Sequence, residues 1–278
     1  MKKILTVALI CSTAAVQAAS IWSDNFESYD TAGSNLETQN PAWLTGPAAT
    51  PSIAAFDNTT YDLPTSFGSV SLAVGGIAPS FGPDDDSSVV YALSPAAASF
   101  IPSGPLPVAH FTTDLILSTL STFTDSFRLS FFDGNIDQPQ TLASLLFTGS
   151  QTSGFSIIRN NGTSDGTFDT GAALALNAAY TLDLTMNLDY MKWSATITPV
   201  GSTATPIALF ANVDFTGNTA AQGDIGGFAI DWISSDGTNW GDNYMVLDNM
   251  VLESAVPEPS SLLLIALGGF ACLSRRRR

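Results

Sequence analysis

The clearest strand pattern of this chain is Tyr180-Thr181-Leu182-Asp183-Leu184-Thr185-Met186-Asn187-Leu188. Its apolar and polar residues alternate without interruption, which is the period-two pattern of a β-strand with one buried face. Residues 193–198 alternate in the same way, and the short connection over residues 189–192 predicts that the two strands form a hairpin. The chain is therefore expected to be built on an antiparallel sheet.

Further short strands are predicted on both sides of this hairpin. The clearest covers residues 127–131 and ends at Asp133-Gly134-Asn135. The others cover residues 70–74, 88–93, 109–117, 144–147, 154–159, 207–210 and 227–232. Between the chain ends no segment has a convincing amphipathic helical pattern, and turns rich in Gly, Asn and Asp separate the strands. This organisation predicts an all-β fold, an antiparallel jelly-roll sandwich.

The N-terminus carries a targeting pattern. Lys2 and Lys3 precede an apolar stretch over residues 4–10, and small residues follow up to Val16-Gln17-Ala18. This pattern predicts a secretory signal peptide over residues 1–18. One β-sandwich ectodomain is then expected over residues 19–253, followed by a sorting segment over residues 254–278.

The C-terminal segment has three parts in a fixed order. Pro257, Glu258 and Pro259 come first, an apolar run over residues 262–273 follows, and the chain closes with Arg275, Arg276, Arg277 and Arg278. A twelve-residue helix is roughly 18 Å long, so the predicted transmembrane helix is short against about 30 Å of hydrocarbon. The arginines place the C-terminus on the cytoplasmic side, with the body of the chain outside. A plain tail anchor is usually longer and does not need the Pro-Glu-Pro triplet.

This arrangement resembles the PEP-CTERM sorting signal of Gram-negative bacteria. The resemblance implies recognition by exosortase, transient anchoring in the inner membrane, and export to the cell surface or extracellular matrix. It covers only residues 256–278, so it implies an address and a processing route and leaves the activity of the ectodomain open.

The charge of the predicted ectodomain limits its partners. Between Ala19 and Val256 the basic residues are Arg128, Arg159 and Lys192, against every acidic residue of the chain except Glu258, so 3 basic and 24 acidic residues give a formal charge of −21. Phosphate groups would be repelled, which argues against nucleic acid as a partner. Both cysteines lie in the end segments, so the ectodomain has no disulfide.

The strand pattern is similar to that of concanavalin A-like (LamG-like) jelly rolls. The likeness rests on residues 127–134, the hairpin over residues 180–198, the closing strand over residues 244–253 and the opening Asp24-Asn25-Phe26-Glu27-Ser28-Tyr29. Folds of this kind include lectins, glucanases, adhesion modules and structural proteins, so the likeness leaves the function open.

Three carboxylates of the two terminal strands are candidate metal ligands. Asp24 lies among apolar neighbours of the first strand, and alternation places Asp248 on one face with Val246 and Met250. A buried carboxylate needs a donor or a cation. The resemblance to carbohydrate-binding jelly rolls implies that Asp24, Glu27 and Asp248 share a structural Ca²⁺. The alternative is that these carboxylates accept backbone N–H bonds at the strand ends.

A glycan site is predicted in the segment over residues 231–244, which places aromatic residues among Asp, Asn and Gly. Sugars are held by stacking on aromatic faces together with hydrogen bonds from polar groups, so Trp240, Asp242 and Tyr244 are the candidate residues. The alternative is that Trp232 belongs to the core and that Trp240 covers an edge of the sandwich.

No catalytic motif is found. The Glu-x-Asp-x-x-Glu strand of glucanases with a related fold is absent, and the only histidine, His110, lies in a predicted strand without a Gly-x-Ser-x-Gly elbow elsewhere. We therefore expect a protein without enzymatic activity, structural or adhesive in an extracellular polysaccharide matrix, able to bind glycan and stabilised by calcium. The alternative is a polysaccharide-active enzyme that uses a pair of Asp carboxylates.

Overall fold

The computed structural model describes residues 19–31, 36–45, 53–60, 63–75, 87–93, 108–119, 125–134, 141–150, 154–160, 167–172, 174–215, 225–233 and 243–255. One sheet, called sheet A, contains β1 (Ala19–Asp24), β3 (Ile53–Asp57), β4 (Val70–Gly75), β6 (Val108–Thr119), β11 (Ala179–Asn187), β12 (Lys192–Pro199), β13 (Ile207–Asp214) and β15 (Asn243–Ala255). The other, called sheet B, contains β2 (Trp43–Thr45), β5 (Ser87–Ala92), β7 (Ser126–Phe132), β8 (Thr141–Ser150), β9 (Gly154–Asn160), β10 (Thr167–Asp169) and β14 (Gly227–Ile233). The short helix α1 (Leu36–Gln39) and two 3₁₀ turns, Asn58–Thr60 and Thr65–Phe67, lie between strands.

The two sheets form an antiparallel jelly-roll sandwich, as the sequence predicts. Sheet A has the order β13-β12-β11-β6-β15-β4-β3, with β1 also paired to β15, and sheet B has the order β10-β9-β8-β7-β14-β5-β2. All pairings described between these strands are antiparallel. The first and last strands are neighbours, so the two chain ends of the ectodomain meet in the middle of sheet A.

The predicted hairpin is present. Strands β11 and β12 pair in register from Tyr180 opposite Pro199 to Asn187 opposite Lys192. Along β11 the residues Leu182, Leu184 and Met186 are fully buried, whereas the polar residues between them are half-buried. One face of β11 therefore packs in the core and the other points outward, as expected for a half-buried strand.

The space between the sheets is filled by aliphatic and aromatic side chains from both inner faces. A second, smaller cluster lies on the other face of sheet A, where Tyr244, Val246 and Ile116 pack with Phe56 and Phe67. The segment that contains the two 3₁₀ turns covers this face. Because of this covering segment, both faces of the central part of sheet A are buried.

At one position in strand β15, the side chains switch to the opposite faces of the sheet and the strand's pairing partner on one side changes. Asp248 lies opposite Asp114 of β6, but the next paired residue is Val251 opposite Thr112, so β15 carries one extra residue there. Asn249 has a φ of 48°, as expected at a β-bulge. On its other side β15 pairs with β4 before the bulge and with β1 after it.

The bulge corrects one prediction about faces. Val246 belongs to the small cluster on the outer face of sheet A, whereas Met250 belongs to the core between the sheets. The extra residue shifts the alternation by one position and moves every later side chain to the opposite face. Asp248 therefore shares a face with Val246 and does not share one with Met250.

The predicted signal peptide over residues 1–18 and the predicted transmembrane helix over residues 262–273 lie outside the described residues. Among the described residues, no helix has the length and apolar character needed to cross a membrane.

Candidate functional site

A pocket of about 660 Å³ opens where the two sheets meet at the end of β1. It is lined by β1, the turn that follows it, the end of α1, strand β5 and the bulge of β15. The lining residues are Trp22, Ser23, Asp24, Asn25, Ser28, Tyr29, Gln39, Asn40, Pro41, Tyr91, Asn249, Met250 and Val251. Its volume lies within the range of roughly 300–1,000 Å³ that is typical of small-molecule sites.

The chain reverses sharply at the mouth of the pocket. Phe26, directly after β1, has a φ of 57°, and the amide of Tyr29 donates to the carbonyl of Phe26 at 2.9 Å. The Phe26 ring is fully buried, so core packing holds a backbone conformation that is costly for a non-glycine residue. This turn directs Asp24 and Glu27 into different surroundings although only two residues separate them.

Asp24 is the polar centre of the pocket. Its Oδ1 accepts the amide N–H of Phe26 at 2.9 Å, and its Oδ2 accepts the hydroxyl of Tyr29 at 2.7 Å. A carboxylate offers about four acceptor positions, so these two donors leave room for others. Burial raises the pKa of the Asp24 carboxyl above its ordinary value of 3.8, and the hydrogen bonds from Tyr29 and Phe26 oppose that rise.

The Tyr29 hydroxyl links Asp24 to the structure behind it. While it donates to Asp24, it accepts the indole N–H of Trp43 at 3.0 Å and the side-chain amide of Asn40 at 3.2 Å. Burial and the hydrogen bond to Asp24 raise the pKa of Tyr29 to about 12. The hydroxyl therefore stays protonated over the ordinary pH range and keeps Asp24 in place.

The end of helix α1 contributes two amide side chains to the lining. The side chain of Gln39 accepts the amide N–H of Asp30 at 2.5 Å and donates to the carbonyl of the same residue at 3.2 Å. Asn40 accepts the amide of Ala42 at 3.1 Å, so its carboxamide is held on both sides. Leu36 anchors the helix in the core. Amide side chains with set orientations thus line the same pocket as the Asp24 carboxylate.

Aromatic rings form one wall. Trp22, which is half-buried, packs against Tyr91 with ring centroids 4.6 Å apart and against Phe228 at 5.1 Å. Trp43 and Tyr91 meet edge to face at 4.8 Å. These contacts immobilise the Trp22 and Tyr91 rings that line the pocket. The pKa of Tyr91 is raised, chiefly by burial.

The three predicted calcium ligands are not arranged as one metal site. Asp24 faces Tyr29, whereas Glu27 accepts the amides of Ser69 at 2.6 Å and Val70 at 3.3 Å. Asp248 accepts the amide of Asn249 at 2.7 Å. Among the described residues, no three side chains of His, Cys, Asp or Glu are arranged to hold a metal ion. All three carboxylates accept backbone N–H bonds, which is the alternative that the sequence left open.

Asp248 lies in a buried polar cluster beneath the segment that covers sheet A. It is 1% exposed, and its Oδ2 accepts the hydroxyl of Ser71 at 3.2 Å. Asn58 donates to Ser71 at 2.8 Å and to the carbonyl of Phe67 at 2.6 Å. Burial, with the nearby charges of Glu27 and Asp114 adding to it, raises the pKa of Asp248 to about 7.

The predicted glycan residues are not confirmed. Tyr244 is only 8% exposed and packs in the small cluster on sheet A, so its ring offers no surface to a sugar, and this part of the prediction is wrong. The reason is alternation, since β15 begins at Asn243 and directs Tyr244 toward Phe56 and Phe67. Trp232 is 2% exposed in the core, as the alternative held. Trp240 and Asp242 lie outside the described residues.

His110 lies on the outer face of sheet A, in strand β6. Its Nε2 is 2.7 Å from the hydroxyl of Thr185 and 3.7 Å from Oδ1 of Asp183. The residue opposite on β15 is Glu253. The histidine is thus an ordinary strand residue with polar neighbours and does not line the pocket.

The pocket residues other than Asp24 are absent from the predicted sites. Trp22, Tyr29, Asn40 and Tyr91 belong to four different segments, and Tyr91 is distant in sequence from the other three. No spacing rule connects them, because the sandwich topology and the turn at Phe26 bring them together. The one available signal is the carboxylate of Asp24 in an apolar strand.

The class of fold is shown by comparison with solved structures. The sandwich is similar to the catalytic domain of the glycoside hydrolase family 131 protein from Coprinopsis cinerea, with a TM-score of 0.54, 10% identity, and coverage of 86% of this chain and 96% of that one. The marine PL-14 alginate lyase from Aplysia kurodai gives a TM-score of 0.53 at 10% identity, and lectin II from Ulex europaeus gives 0.50 at 10%, each over 86% of this chain and 100% of theirs. The ectodomain is a concanavalin A-like jelly roll, and at these identities the likeness concerns the fold alone.

The C-terminal residues show how the protein is sorted. Residues 255–278 match the PEP-CTERM protein-sorting motif, which includes Pro257, Glu258 and Pro259. The chain therefore carries the signature of exosortase substrates and is an exported protein. None of the curated proteins compared with the chain matches it.

Proposed function

We propose that this exported protein is a surface or matrix protein that binds a glycan in the pocket beside Asp24, without catalysing its conversion. The observation that carries the proposal is the meeting of a carboxylate, amide side chains and immobilised aromatic rings in one cavity of about 660 Å³. The sorting motif supports delivery of this pocket to the polysaccharide layer outside the cell. Retention in that layer would give the protein a structural or adhesive role.

The chemistry of the pocket suits a sugar. Hydroxyl groups donate well to a carboxylate, and Asp24 keeps acceptor positions beyond the two occupied by Phe26 and Tyr29. The C–H face of a pyranose ring packs on an aromatic ring, and the half-buried Trp22 supplies such a ring in the lining. The rings and amides are already held by neighbouring groups, so little ordering is required on binding.

The enzymatic alternative is less well supported in this pocket. Glycoside hydrolysis uses two carboxyl groups, about 5–5.5 Å apart in retaining enzymes and about 6.5–9.5 Å apart in inverting enzymes. Asp24 is the single carboxylate among the lining residues that the structure describes. A reducing-end assay on the polysaccharides that bind, with the Asp24→Asn variant alongside, distinguishes an enzyme from a binding protein.

Affinity gel electrophoresis tests the proposal. The purified full chain, in mild detergent, is run through gels that contain glucans, mannans or galactans, each in its neutral form and in a carboxylated form. We expect at least one to retard wild-type protein and the Asp24→Asn variant to lose about tenfold in affinity, because the charge-assisted acceptor is gone. The control is Asp57→Asn, which removes the same charge at an exposed position outside the pocket. If no polysaccharide retards the wild type, or if both variants behave alike, the proposal fails.

A further inference from the structure

We propose that the pocket selects uncharged glycans and rejects those whose sugars carry carboxylate or sulfate groups. This inference rests on the proposed function and names the class of ligand for the same site. It follows from the charges around the pocket and from the charges available in the whole ectodomain.

The lining itself contains no cation. Among the lining residues that the structure describes, Asp24 is the only acidic one, and none is Lys, Arg or His. Tyr29 and Tyr91 remain neutral, since the pKa of each is raised. A carboxylate on a bound sugar would therefore lie near the Asp24 carboxylate with no compensating charge, and like charges at such distances repel.

The three basic side chains of the ectodomain lie outside the lining of the pocket. Arg128 is paired with Asp231 at 2.7 Å, and Lys192 is paired with Asp214 at 2.7 Å. The guanidinium of Arg159 lies 5.8 Å from the ring centroid of Phe210. The sequence has no other Lys or Arg between Ala19 and Val256, so the segments outside the described residues bring none to the pocket either.

An uncharged sugar meets no such penalty. Its hydroxyls can donate to Asp24, and the amide side chains of Gln39 and Asn40 also line the pocket. The strong negative charge of the ectodomain also repels polyanions before they reach the pocket, an effect that salt screens. Selection thus has a local part, at Asp24, and a long-range part, spread over the surface.

The test compares matched pairs of polysaccharides. Each neutral polysaccharide that binds is compared with its own C6-carboxylated derivative by isothermal titration calorimetry with the purified full chain, in the presence of a chelator. The backbone is the same in each pair, and charge is the difference. We expect the carboxylated form to bind at least about tenfold more weakly at low salt, with a smaller ratio at high salt.

Substitutions at Asn25 and Asp24, each with a matched control, separate the local part of the selection from the long-range part. Asn25→Lys places a cation in the lining at an exposed position and is expected to improve binding of the carboxylated form at least about threefold, whereas Asn25→Ala is not. Asp24→Asn is expected to reduce the ratio between the two forms, and Asp57→Asn to leave it nearly unchanged. These variants keep the test valid if one of them unfolds.

The outcomes distinguish the two proposals. Equal or tighter binding of the carboxylated form would overturn the selection of uncharged glycans. If that binding is lost in Asp24→Asn, the proposed glycan binding in this pocket still stands. Equal effects of Asn25→Lys and Asn25→Ala would overturn the local role of charge. Failure of every polysaccharide to bind would overturn the proposed function itself, and the selection with it.

Discussion

The hydroxyl of Tyr29 donates to Oδ2 of Asp24 at 2.7 Å, and this contact joins the pocket to the core. Because the same hydroxyl accepts the buried indole N–H of Trp43, the Tyr29→Phe variant leaves that donor without its acceptor. We expect a loss of about 1–3 kcal/mol in the free energy of unfolding, measured by chemical denaturation. Tyr190, which is 63% exposed, provides the control, and Tyr190→Phe should change stability little. Equal losses in both variants would contradict the account of the network.

The raised pKa of Asp248 predicts a pH-dependent stability. In the unfolded chain this carboxyl ionises near 3.8, and in the folded protein near 7. Between these values the folded protein binds the extra proton, so this residue's contribution to stability falls as the pH rises through the window. At about pH 8 the Asp248→Asn variant should exceed the wild type by roughly 2–4 kcal/mol, with little difference at about pH 4. Thermal unfolding across the pH range measures this.

The exposed turn residue Asp189 supplies the matched control for Asp248, since Asp189→Asn removes the same charge outside any buried cluster. It should leave the pH profile of stability unchanged. If Asp248→Asn destabilises the protein equally at about pH 4 and pH 8, the carboxyl has a structural role that does not depend on its proton.

Calcium binding stays a prediction of the sequence. Asp24, Glu27 and Asp248 each already accept hydrogen bonds from the protein, and among the described residues they do not form a three-ligand metal site. We therefore expect millimolar calcium to leave the melting temperature within about 1 °C of its value in chelator, because a ligand of the native state would raise it by mass action. A clear rise with calcium that disappears in Asp248→Asn would establish a metal at this position.

The sorting motif predicts processing that depends on the Pro-Glu-Pro triplet. Replacing Pro257, Glu258 and Pro259 by alanine leaves the apolar run and the arginines intact. If exosortase processes the tail, this variant should remain as the uncleaved precursor in the membrane fraction, detected by immunoblotting with a tag placed after Ala18. A plain tail anchor would give the same fractionation and the same size for the variant and the wild type.

The strands could be predicted because alternation is a local property. The hairpin of β11 and β12, strand β7 and the closing strand β15 all lie where the sequence places them, within one or two residues at each end. The short strands β2, β3 and β10 and helix α1 are absent from the prediction. Each is only three to five residues long, too short for a period to be recognised.

The site could be predicted only in part. The apolar surroundings of Asp24 and Asp248 indicated that each carboxylate needs a donor, and both have donors. The position of each carboxylate depends on a local backbone feature, the left-handed conformation of Phe26 or the bulge at Asn249. No residue pattern in the sequence predicts either feature. The aromatic wall could not be predicted, because Trp22 and Tyr91 belong to strands β1 and β5, which meet only in the folded sandwich.

The most direct measurement is diffraction from crystals of the protein grown with the neutral oligosaccharide that binds most tightly. We expect electron density for a sugar ring in the pocket, packed on Trp22, with a hydroxyl within hydrogen-bond distance of Asp24. Density for the sugar at another surface, with the pocket filled by solvent, would contradict the central claim that this pocket is the binding site.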